Sequence, residues 1–459
     1  MGVRFHGLSS GGMARPRGVL LIVCFISLAT LWSCRLPKMC LYNQCNADIT
    51  LGPIRQNSLD LSLPDAPFIG WPLERVCKET SWTPGIVFVC DDNSGGIGNI
   101  RNYILTCIRY AIEGGVTGLV LPQIRTRSSK NLASLMQQSR DFDYFFDESH
   151  FRESLGASCP QITIYRSTDD IPNAVTPFRA EKLTPRNLGR RGGCDQSDLN
   201  RHTDRWGELF QAFIQTNSED FQLYPPSLAH PRAVRFNWGV QFDWPMYRDG
   251  PEFVATFGGL LRFRADILAL GKKTAGYMRR FAANDAGKPS FGLQRDAFAG
   301  LHLRTESDAL SAWPKYENQS RAYLERAGGM GFKVAYLATG NKTEAERLAR
   351  TALTRHGLTV VTKHEVLEDH PDDLRAIEAL TWDQQALIDF VVLLESDYFF
   401  GVSPSSFSMN VALKRHLKME GLYTRPWKIG ADGDGRSWLV GSYENYWKDW
   451  LYMYDSMWP

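Results

Sequence analysis

The apolar residues of this chain fall into blocks, and the first block is the longest. Residues 18–34 (GVLLIVCFISLATLWSC) contain no charged side chain; three arginines precede them, and Arg35 and Lys38 follow. Seventeen helical residues span about 25 Å, which suits a thin secretory membrane. The pattern predicts a transmembrane signal-anchor. A cleaved signal peptide is the alternative, although no small-residue cleavage site follows the block.

The charges around this block predict a topology. Basic residues before it indicate a cytosolic tail over residues 1–17 and a luminal body after it. Residues 35–80 are rich in Pro, Asn and Ser without periodicity, and we interpret them as a stem. A single-pass type II protein of the Golgi or endoplasmic reticulum membrane is therefore expected.

Cysteine usage agrees with an oxidising lumen, since seven of the nine cysteines follow the anchor. Cys40 with Cys45 and Cys159 with Cys194 are candidate disulfides, but spacing alone does not decide the pairing. Cys107 lies on the apolar face of a predicted helix and is expected to be a buried thiol.

A strand–helix–strand unit opens the body of the chain. Residues 85–90 (GIVFVC) and 118–122 (GLVLP) are short apolar runs, and helical spacing of apolar residues extends between them from Asn99 to a Gly114–Gly115 stop. Such a unit predicts parallel strands joined by a right-handed crossover.

The same alternation returns in the second half of the chain. Apolar strands are predicted at residues 297–304, 332–339, 358–362 and 398–402, with helices between them. We therefore expect an α/β fold of two Rossmann-like domains facing each other across a cleft. Their predicted bounds are residues 81–290, with insertions, for the N-terminal domain, 291–416 for the C-terminal donor-binding domain, and 417–459 for an aromatic-rich tail packing on the body.

The amino-acid composition and net charge bear on whether the chain binds nucleic acid. The chain is 43% hydrophobic and 22% charged, with a formal net charge of +2. This near-balance gives no electrostatic reason to expect binding to nucleic acid.

A glycine-rich turn, DDNSGGIGNIRNY (residues 91–103), joins the first strand to its helix. It lacks the third glycine and the acidic residue of a dinucleotide fingerprint, and no Walker-type GxxxxGK[ST] occurs in the chain. Arg101 stands one helical turn in, where its guanidinium and the helix N-terminus could face one anion. A tight turn without a ligand is the alternative interpretation.

Two later stretches also suit an anion. In GLHLRTESD (residues 300–308), His302 and Arg304 alternate at the end of a strand, and an arginine there suits a diphosphate, or else a structural pair with Glu306. Ser405 and Ser406 close a loop and open a helix, which makes a second phosphate site or a simple N-cap.

In order and spacing, four blocks resemble the GDP-fucose protein O-fucosyltransferase family. They are GGIGNIRNYI…GLVLPQI, FDYFFDESHFRESL, AFAGLHLRTESDAL and ALIDFVVLLESDYFFGVSPSSFS. The resemblance implies the GT-B fold and inverting transfer of fucose from GDP-fucose to a protein or glycan hydroxyl, with no metal and no other cofactor.

The resemblance also implies residue roles. Arg304 would contact the β-phosphate and the departing oxygen, and Asp397 would bind the nucleoside. The resemblance gives no evident general base; Glu306 is a candidate because it follows Arg304 by two residues on the same strand face, and an orienting partner of Arg304 is the alternative. The expected donor-binding set comprises Gly96, Ile97, Gly98, Asn99, Arg101, His302, Leu303, Arg304, Asp397, Ser405, Ser406 and Phe407.

This sequence departs from the family at Gly96, where a basic residue often stands. The pairs Asp141-x-Asp143 and Asp432-x-Asp434 resemble a metal-binding DxD, but one lies inside a family-like block and the other in a glycine-rich turn. Two rival functions stay open: a GT-B binding protein with weak or no activity, and a transferase that uses another GDP-sugar.

Overall fold

The computed structural model describes residues 59–128, 134, 138–174, 179–184, 205–216, 224–237, 242, 244–285, 293–306, 308–309, 313–419 and 433–459. The predicted cytosolic tail, signal-anchor and the stem up to residue 58 lie outside these residues, as do Cys40, Cys45 and Cys194. Within the described part of the chain, no helix combines the length and the apolarity needed to cross a membrane.

The first lobe is built on a five-stranded parallel sheet with the order β5-β2-β1-β7-β6. Its strands are β1 (Thr83–Val89), β2 (Val116–Val120), β5 (Thr163–Tyr165), β6 (Glu181–Leu183) and β7 (Arg232–Phe236), while β3 (Ile124–Arg125) and β4 (Ser139–Arg140) form a separate antiparallel pair. The last five residues of β1 are all buried, as expected of a parallel strand covered on both faces.

Helices surround this sheet and lead into the second lobe. They are α1 (Trp71–Glu79), α2 (Ile97–Glu113), α3 (Glu148–Ser158), α4 (Trp206–Thr216), α5 (Pro251–Phe257) and α6 (Ala265–Asp285). The central helix α2 begins after Gly96 and ends at Gly114, and Gly115 adopts a positive φ of 66°. The predicted glycine stop is therefore confirmed, while the helix begins two residues earlier than the apolar spacing indicates.

The second lobe repeats the plan with a parallel sheet of order β10-β9-β8-β11-β12. Its strands are β8 (Ala299–His302), β9 (Val334–Ala338), β10 (Thr359–Val361), β11 (Tyr398–Val402) and β12 (Ser437–Val440). Its helices are α7 (Tyr316–Gly329), α8 (Lys342–His356), α9 (Lys363–Val366), α10 (Pro371–Glu378), α11 (Trp382–Glu395) and α12 (Ser406–His416).

The two strand orders explain where a site forms. In the first sheet, β2 and β5 lie on one side of β1, and the later strands β7 and β6 lie on the other side. In the second sheet, β9 and β10 lie on one side of β8, and β11 and β12 lie on the other. The strand order therefore reverses at β1 and at β8. Ligands of doubly wound sheets bind at the carboxyl ends of strands where the order reverses. The glycine turn follows β1, and His302 and Arg304 stand at the end of β8, so both lie at these points.

Three features of the structure cross the predicted domain bounds. Helix α1 lies inside the predicted stem, yet its buried residues Leu73 and Cys77 belong to the hydrophobic core. Helix α6, from the predicted N-terminal domain, packs along α11 so closely that a Cβ on Gly271 would lie 2.7 Å from Val391. Strand β12 extends the second sheet from within the predicted tail.

Two disulfides tie the first lobe together, Cys77–Cys159 and Cys90–Cys107. The expectation that Cys107 is a thiol is wrong, because the residue on the buried face of α2 meets the cysteine at the end of β1. Cys159 pairs with Cys77 on α1 rather than with Cys194.

Candidate active site

A cavity of about 830 Å³ lies where the two lobes meet, within the size range of small-molecule sites. Both lobes supply its walls. The first lobe contributes residues 95–99, 127, 145 and 242, and the second contributes residues 302, 304, 306, 308, 313, 338–340, 363, 382, 383, 385, 386, 389 and 404–407. The C-terminal segment, which follows β12, adds Trp450, Tyr452 and Met453.

The glycine turn presents the N-terminus of α2 to this cavity. Gly96 is the N-cap in extended conformation and offers no side chain to the first amide groups of the helix. The first N–H groups of a helix lack intrahelical partners and attract anions. Gly98 lies against the second lobe, because a Cβ on it would stand 2.7 Å from the backbone carbonyl of Ser406.

The N-terminus of α12 faces the same space. Ser405 is its N-cap without a side-chain hydrogen bond, and Ser406 and Phe407 form its first turn. The cavity therefore receives two helix N-termini, one from each lobe, and their dipoles favour the same negatively charged group.

His302 is held beneath this second helix. Its Nδ1 lies 2.6 Å from the Ser408 hydroxyl oxygen. That oxygen accepts a hydrogen bond from the Val402 amide. The Phe407 ring centroid is 4.5 Å from the imidazole centroid. Burial lowers the pKa of His302 to about 4. The imidazole is therefore neutral at physiological pH.

Arg304 extends into the cavity from a fixed backbone. The side chain of buried Gln319 accepts from the Arg304 amide at 3.0 Å and donates to the Arg304 carbonyl at 2.9 Å. The Arg304 guanidinium contacts Glu306 at 2.5 Å and Asp308 at 2.7 Å. Burial would lower the pKa of Arg304, but these carboxylates outweigh it and raise the pKa, so the residue is a permanent cation.

Three hydrogen bonds fix the carboxylate of Glu306. One carboxylate oxygen accepts from the Gly340 amide at 2.7 Å, and the other accepts from the Thr305 amide at 3.1 Å as well as from Arg304. Burial alone would raise the pKa of Glu306, but the Arg304 charge and the backbone hydrogen bonds together outweigh it and lower the pKa. Because these hydrogen bonds fix the Glu306 carboxylate and its lowered pKa makes it a weak base, Glu306 suits a role in orienting Arg304 better than a role as general base.

Two groups of cavity residues were missed by the sequence analysis. Arg127, from the loop after β3, forms an ion pair with Asp308 of the other lobe. On α11, Asp389 accepts from Lys363 at 2.8 Å and from the Tyr336 hydroxyl at 2.6 Å. The sequence carried one signal for the second group, an isolated aspartate in the apolar run ALIDFVVLL.

Three predicted donor residues lie elsewhere, beginning with Arg101. Its guanidinium is buried against backbone carbonyls of Trp458, Gly258 and Pro459, at 2.6 to 2.8 Å, and burial lowers its pKa to about 10. It does not line the cavity. The expectation that Arg101 faces the donor is wrong, because its helical position turns it toward the C-terminal segment.

Asp397 and Leu303 are also displaced from the cavity. Asp397 precedes β11 and accepts from the Phe298 amide at 3.0 Å and from Arg279 at 3.2 Å. Since the site lies at the other end of this five-residue strand, roughly 17 Å away, Asp397 does not reach it. Leu303 is fully buried, because residues alternate along an extended chain and its neighbours His302 and Arg304 take the cavity side.

The remaining predicted residues are brought together. Gly96, Ile97, Gly98 and Asn99 from the first lobe line the same cavity as His302, Arg304, Glu306, Ser405, Ser406 and Phe407 from the second. Among the residues that the structure describes, no group of three His, Cys, Asp or Glu side chains is arranged to hold a metal ion.

Comparison with protein families gives a match that covers most of the body. A family model described as GDP-fucose protein O-fucosyltransferase matches residues 86–418, more than half of the chain. No curated protein matches the sequence.

Several solved structures are similar at low identity. POFUT1 in complex with GDP-fucose is 15% identical, with 79% of this chain and 99% of that one covered and a TM-score of 0.45. The fucosyltransferase NodZ from Bradyrhizobium is 14% identical, with 72% and 92% covered and a TM-score of 0.37. A mutant FUT1 from Arabidopsis thaliana in complex with GDP is 11% identical, with 75% and 72% covered and a TM-score of 0.37.

Proposed function

Because the chain belongs to the GDP-fucose protein O-fucosyltransferase family, we propose that its cleft binds GDP-fucose and transfers fucose to a hydroxyl group of a protein or a glycan. Family membership makes the chain a glycosyltransferase. One observation carries the proposal for this particular cleft. Arg304 and Gly96 of the glycine turn are 208 residues apart in sequence, yet both line one cavity between two helix N-termini.

The diphosphate of the donor is assigned to this junction. The first turns of α2 and α12 supply backbone N–H groups, Ser405 and Ser406 supply hydroxyls, and Arg304 supplies a fork-shaped cation that suits phosphate oxygens. Neutral His302 adds a donor if its Nδ1 accepts from Ser408, since the ring proton then stands on Nε2.

The guanine base is assigned to Asp389 rather than to Asp397. The base carries N–H donors at N1 and N2, and a carboxylate is the acceptor that suits two neighbouring donors. Asp389 is 6% exposed and lines the cavity beside Lys363 and Trp382. A base placed there would lie against second-lobe helix α11, with the diphosphate directed toward the glycine turn.

The chemical step needs a fixed cation. As the bond between the anomeric carbon and the β-phosphate oxygen breaks, its electron pair leaves with GDP, and negative charge grows on that oxygen. Arg304, held by Gln319 and Glu306, can stabilise this charge from a fixed position. This supports transfer without a divalent ion, which EDTA-insensitive turnover would test.

Inversion of the anomeric centre is the proposed stereochemistry. The Glu306 carboxylate beside Arg304 is bound by that arginine and by the Gly340 and Thr305 amides, and it is not poised as a nucleophile. We therefore assign attack on the anomeric carbon directly to the acceptor hydroxyl. Its proton passes to the departing diphosphate as the bond between the anomeric carbon and the β-phosphate oxygen breaks. The anomeric configuration of the product, read by proton NMR, tests this.

A luminal location in the Golgi or endoplasmic reticulum is proposed on two grounds. The disulfides Cys77–Cys159 and Cys90–Cys107 suit an oxidising compartment. The uncharged run at residues 18–34 suits a signal-anchor.

The decisive experiment substitutes Arg304. We expect Arg304→Ala to lower the rate of fucose transfer about 10²- to 10³-fold, the usual effect of losing one transition-state donor, while the melting temperature changes little. The rate is measured as fucosyl transfer or GDP release in a donor screen that includes other GDP-sugars. Arg350→Ala, at an exposed arginine of α8, is the matched control and should leave the rate unchanged.

Near-normal turnover of Arg304→Ala would refute the mechanism. If the unsubstituted protein shows no shift in melting temperature with GDP-fucose, the alternative of a GT-B binding protein gains, since ligand at about 100 times its Kd adds roughly 2.7 kcal/mol.

A further inference from the structure

We infer that Arg127 is a second guanidinium ligand of the nucleotide diphosphate, supplied by the first lobe, and that the Asp308 carboxylate occupies this guanidinium until the diphosphate displaces it. The inference rests on the proposed function, because it assumes that the cavity takes a nucleoside diphosphate. It assigns a role to a residue that lies outside the strand ends and helix termini described above.

Arg127 and Arg304 converge from opposite lobes. Arg127 follows β3 of the first lobe and Arg304 follows β8 of the second, yet both guanidinium groups bind the same carboxylate oxygen, Oδ2 of Asp308. Their side chains are 9% and 14% exposed, so both charges are largely withdrawn from water. Two cations gathered on one oxygen form a ready site for a multiply charged anion.

The Arg127 guanidinium also stands beside the glycine turn. A Cβ on Gly96 would lie 3.9 Å from its Nη1, and the Trp382 ring centroid of the other lobe is 5.8 Å from its central carbon. The guanidinium therefore lies at the N-terminus of α2, where the helix dipole favours the same anion.

The charges of this cluster sum to zero. Arg127 and Arg304 contribute two positive charges, and Glu306 and Asp308 contribute two negative charges. A neutral cluster does not attract a diphosphate, and like charges placed together cost several kcal/mol. At least one carboxylate must therefore give up its guanidinium partners when the nucleotide binds.

The two carboxylates differ in how firmly they are held. Glu306 is fastened by the amides of Gly340 and Thr305 in addition to Arg304. Asp308 binds the two guanidinium groups through Oδ2, and within the described residues its buried Oδ1 has no hydrogen-bond donor. Asp308 is thus the carboxylate that can move, and phosphate oxygens would take over its contacts to both arginines.

The test compares ligands that differ in phosphate content. We expect Arg127→Ala to weaken the binding of GDP about 10- to 100-fold, as for loss of a charged hydrogen bond, and to leave the binding of guanosine unchanged. Calorimetry measures GDP and ligand-observed NMR measures guanosine. Asp308→Asn, which keeps the shape and removes the competing charge, should bind GDP about 10-fold more tightly.

Controls separate this inference from the proposed function. Arg125→Ala, two residues away and outside the cavity, should not alter GDP affinity, and melting temperatures without ligand exclude misfolded variants. If the unsubstituted protein binds no GDP, the proposed function itself fails. If it binds GDP but Arg127→Ala loses GDP and guanosine equally or loses neither, or if Asp308→Asn weakens GDP, the role assigned to this pair is overturned.

Discussion

At the residue scale, His302 shows how burial sets chemistry in this cleft. The imidazole is enclosed by Phe407 and Ser408 and is 8% exposed. Removing the ring from water penalises its charged form, which is why its pKa falls to about 4, while the nearby Glu306 carboxylate opposes the shift only in part. The residue is a neutral hydrogen-bonding group and not a cation for phosphate.

The lowered pKa of His302 makes the free energy of unfolding depend on pH in a predictable direction. In the unfolded chain His302 titrates near 6.5 and in the folded chain near 4, so the unfolded state binds more protons between these values. Its contribution is therefore complete above pH 6.5 and is lost as the pH falls, by about 3 kcal/mol at pH 4. The free energy of unfolding of His302→Asn should decline less between pH 7 and 4.5 than that of the unsubstituted protein, as measured in urea. Parallel declines would contradict this prediction.

Single residues were predictable where local chain geometry fixes their direction. His302 and Arg304 alternate at a strand end and Ser406 opens a helix, so the sequence placed all three in the cavity. Arg101 was misassigned because only the folded C-terminal segment supplies the carbonyls that capture it. Arg127 was not predicted because its ion-pair partner, the carboxylate of Asp308, lies 181 residues away in sequence.

At the element scale, the important contact is between two helix N-termini. Gly98 in the first turn of α2 touches the backbone of Ser406 and Phe407 in the first turn of α12. A methyl group there would stand 2.7 Å from a backbone carbonyl, which cannot rotate away as a side chain could. The absence of a side chain at Gly98 lets the lobes approach closely enough to share one anion site.

We predict that Gly98→Ala destabilises the fold by about 1 to 3 kcal/mol through overpacking and weakens GDP binding as the two helix ends separate. Urea unfolding and calorimetry measure the two effects. The matched control is Gly276→Ala in α6, where a Cβ meets nothing within 4 Å. That substitution should stabilise the protein by up to about 1 kcal/mol, because alanine favours a helix interior. The same sign for both variants would refute the packing argument.

The regular elements were predictable for a related reason. Short apolar runs between helical periodicities became the parallel strands β1, β2, β8, β9, β10 and β11, since strands buried on both faces are apolar throughout. Strand β12 was missed because its residues SWLV follow a glycine-rich turn and join a sheet edge that only tertiary structure creates.

At the scale of the whole molecule, the C-terminal segment joins the lobes. The Trp458 carbonyl accepts from Arg101 of the first lobe at 2.6 Å and from Asn410 of the second at 2.8 Å. The Trp458 ring is fully buried beside Phe253 and Phe257, with centroids 5.7 and 4.8 Å away. One residue is thus shared by α2, α5 and α12, which fixes the relative position of the two helices that begin at the cavity.

Trp458→Ala should therefore destabilise the protein by about 3 to 5 kcal/mol, the usual cost of emptying so large a buried volume. Denaturant unfolding gives the value. Trp71→Ala, at a tryptophan of α1 that is 52% exposed, is the control and should change stability by about 0.5 kcal/mol or less. Equal losses in the two variants would show that Trp458 does not join the lobes.

The Cys90–Cys107 disulfide joins two residues 17 positions apart and so encloses the whole glycine turn, from the end of β1 into the middle of α2. Closing a loop of that length restricts the unfolded chain by about 3 kcal/mol in the chain-entropy model. Oxidation therefore stabilises the fold of the segment that contains the proposed diphosphate site. Protein produced in a reducing cytosol would lack this ring, and its free energy of unfolding should be lower by about the same amount.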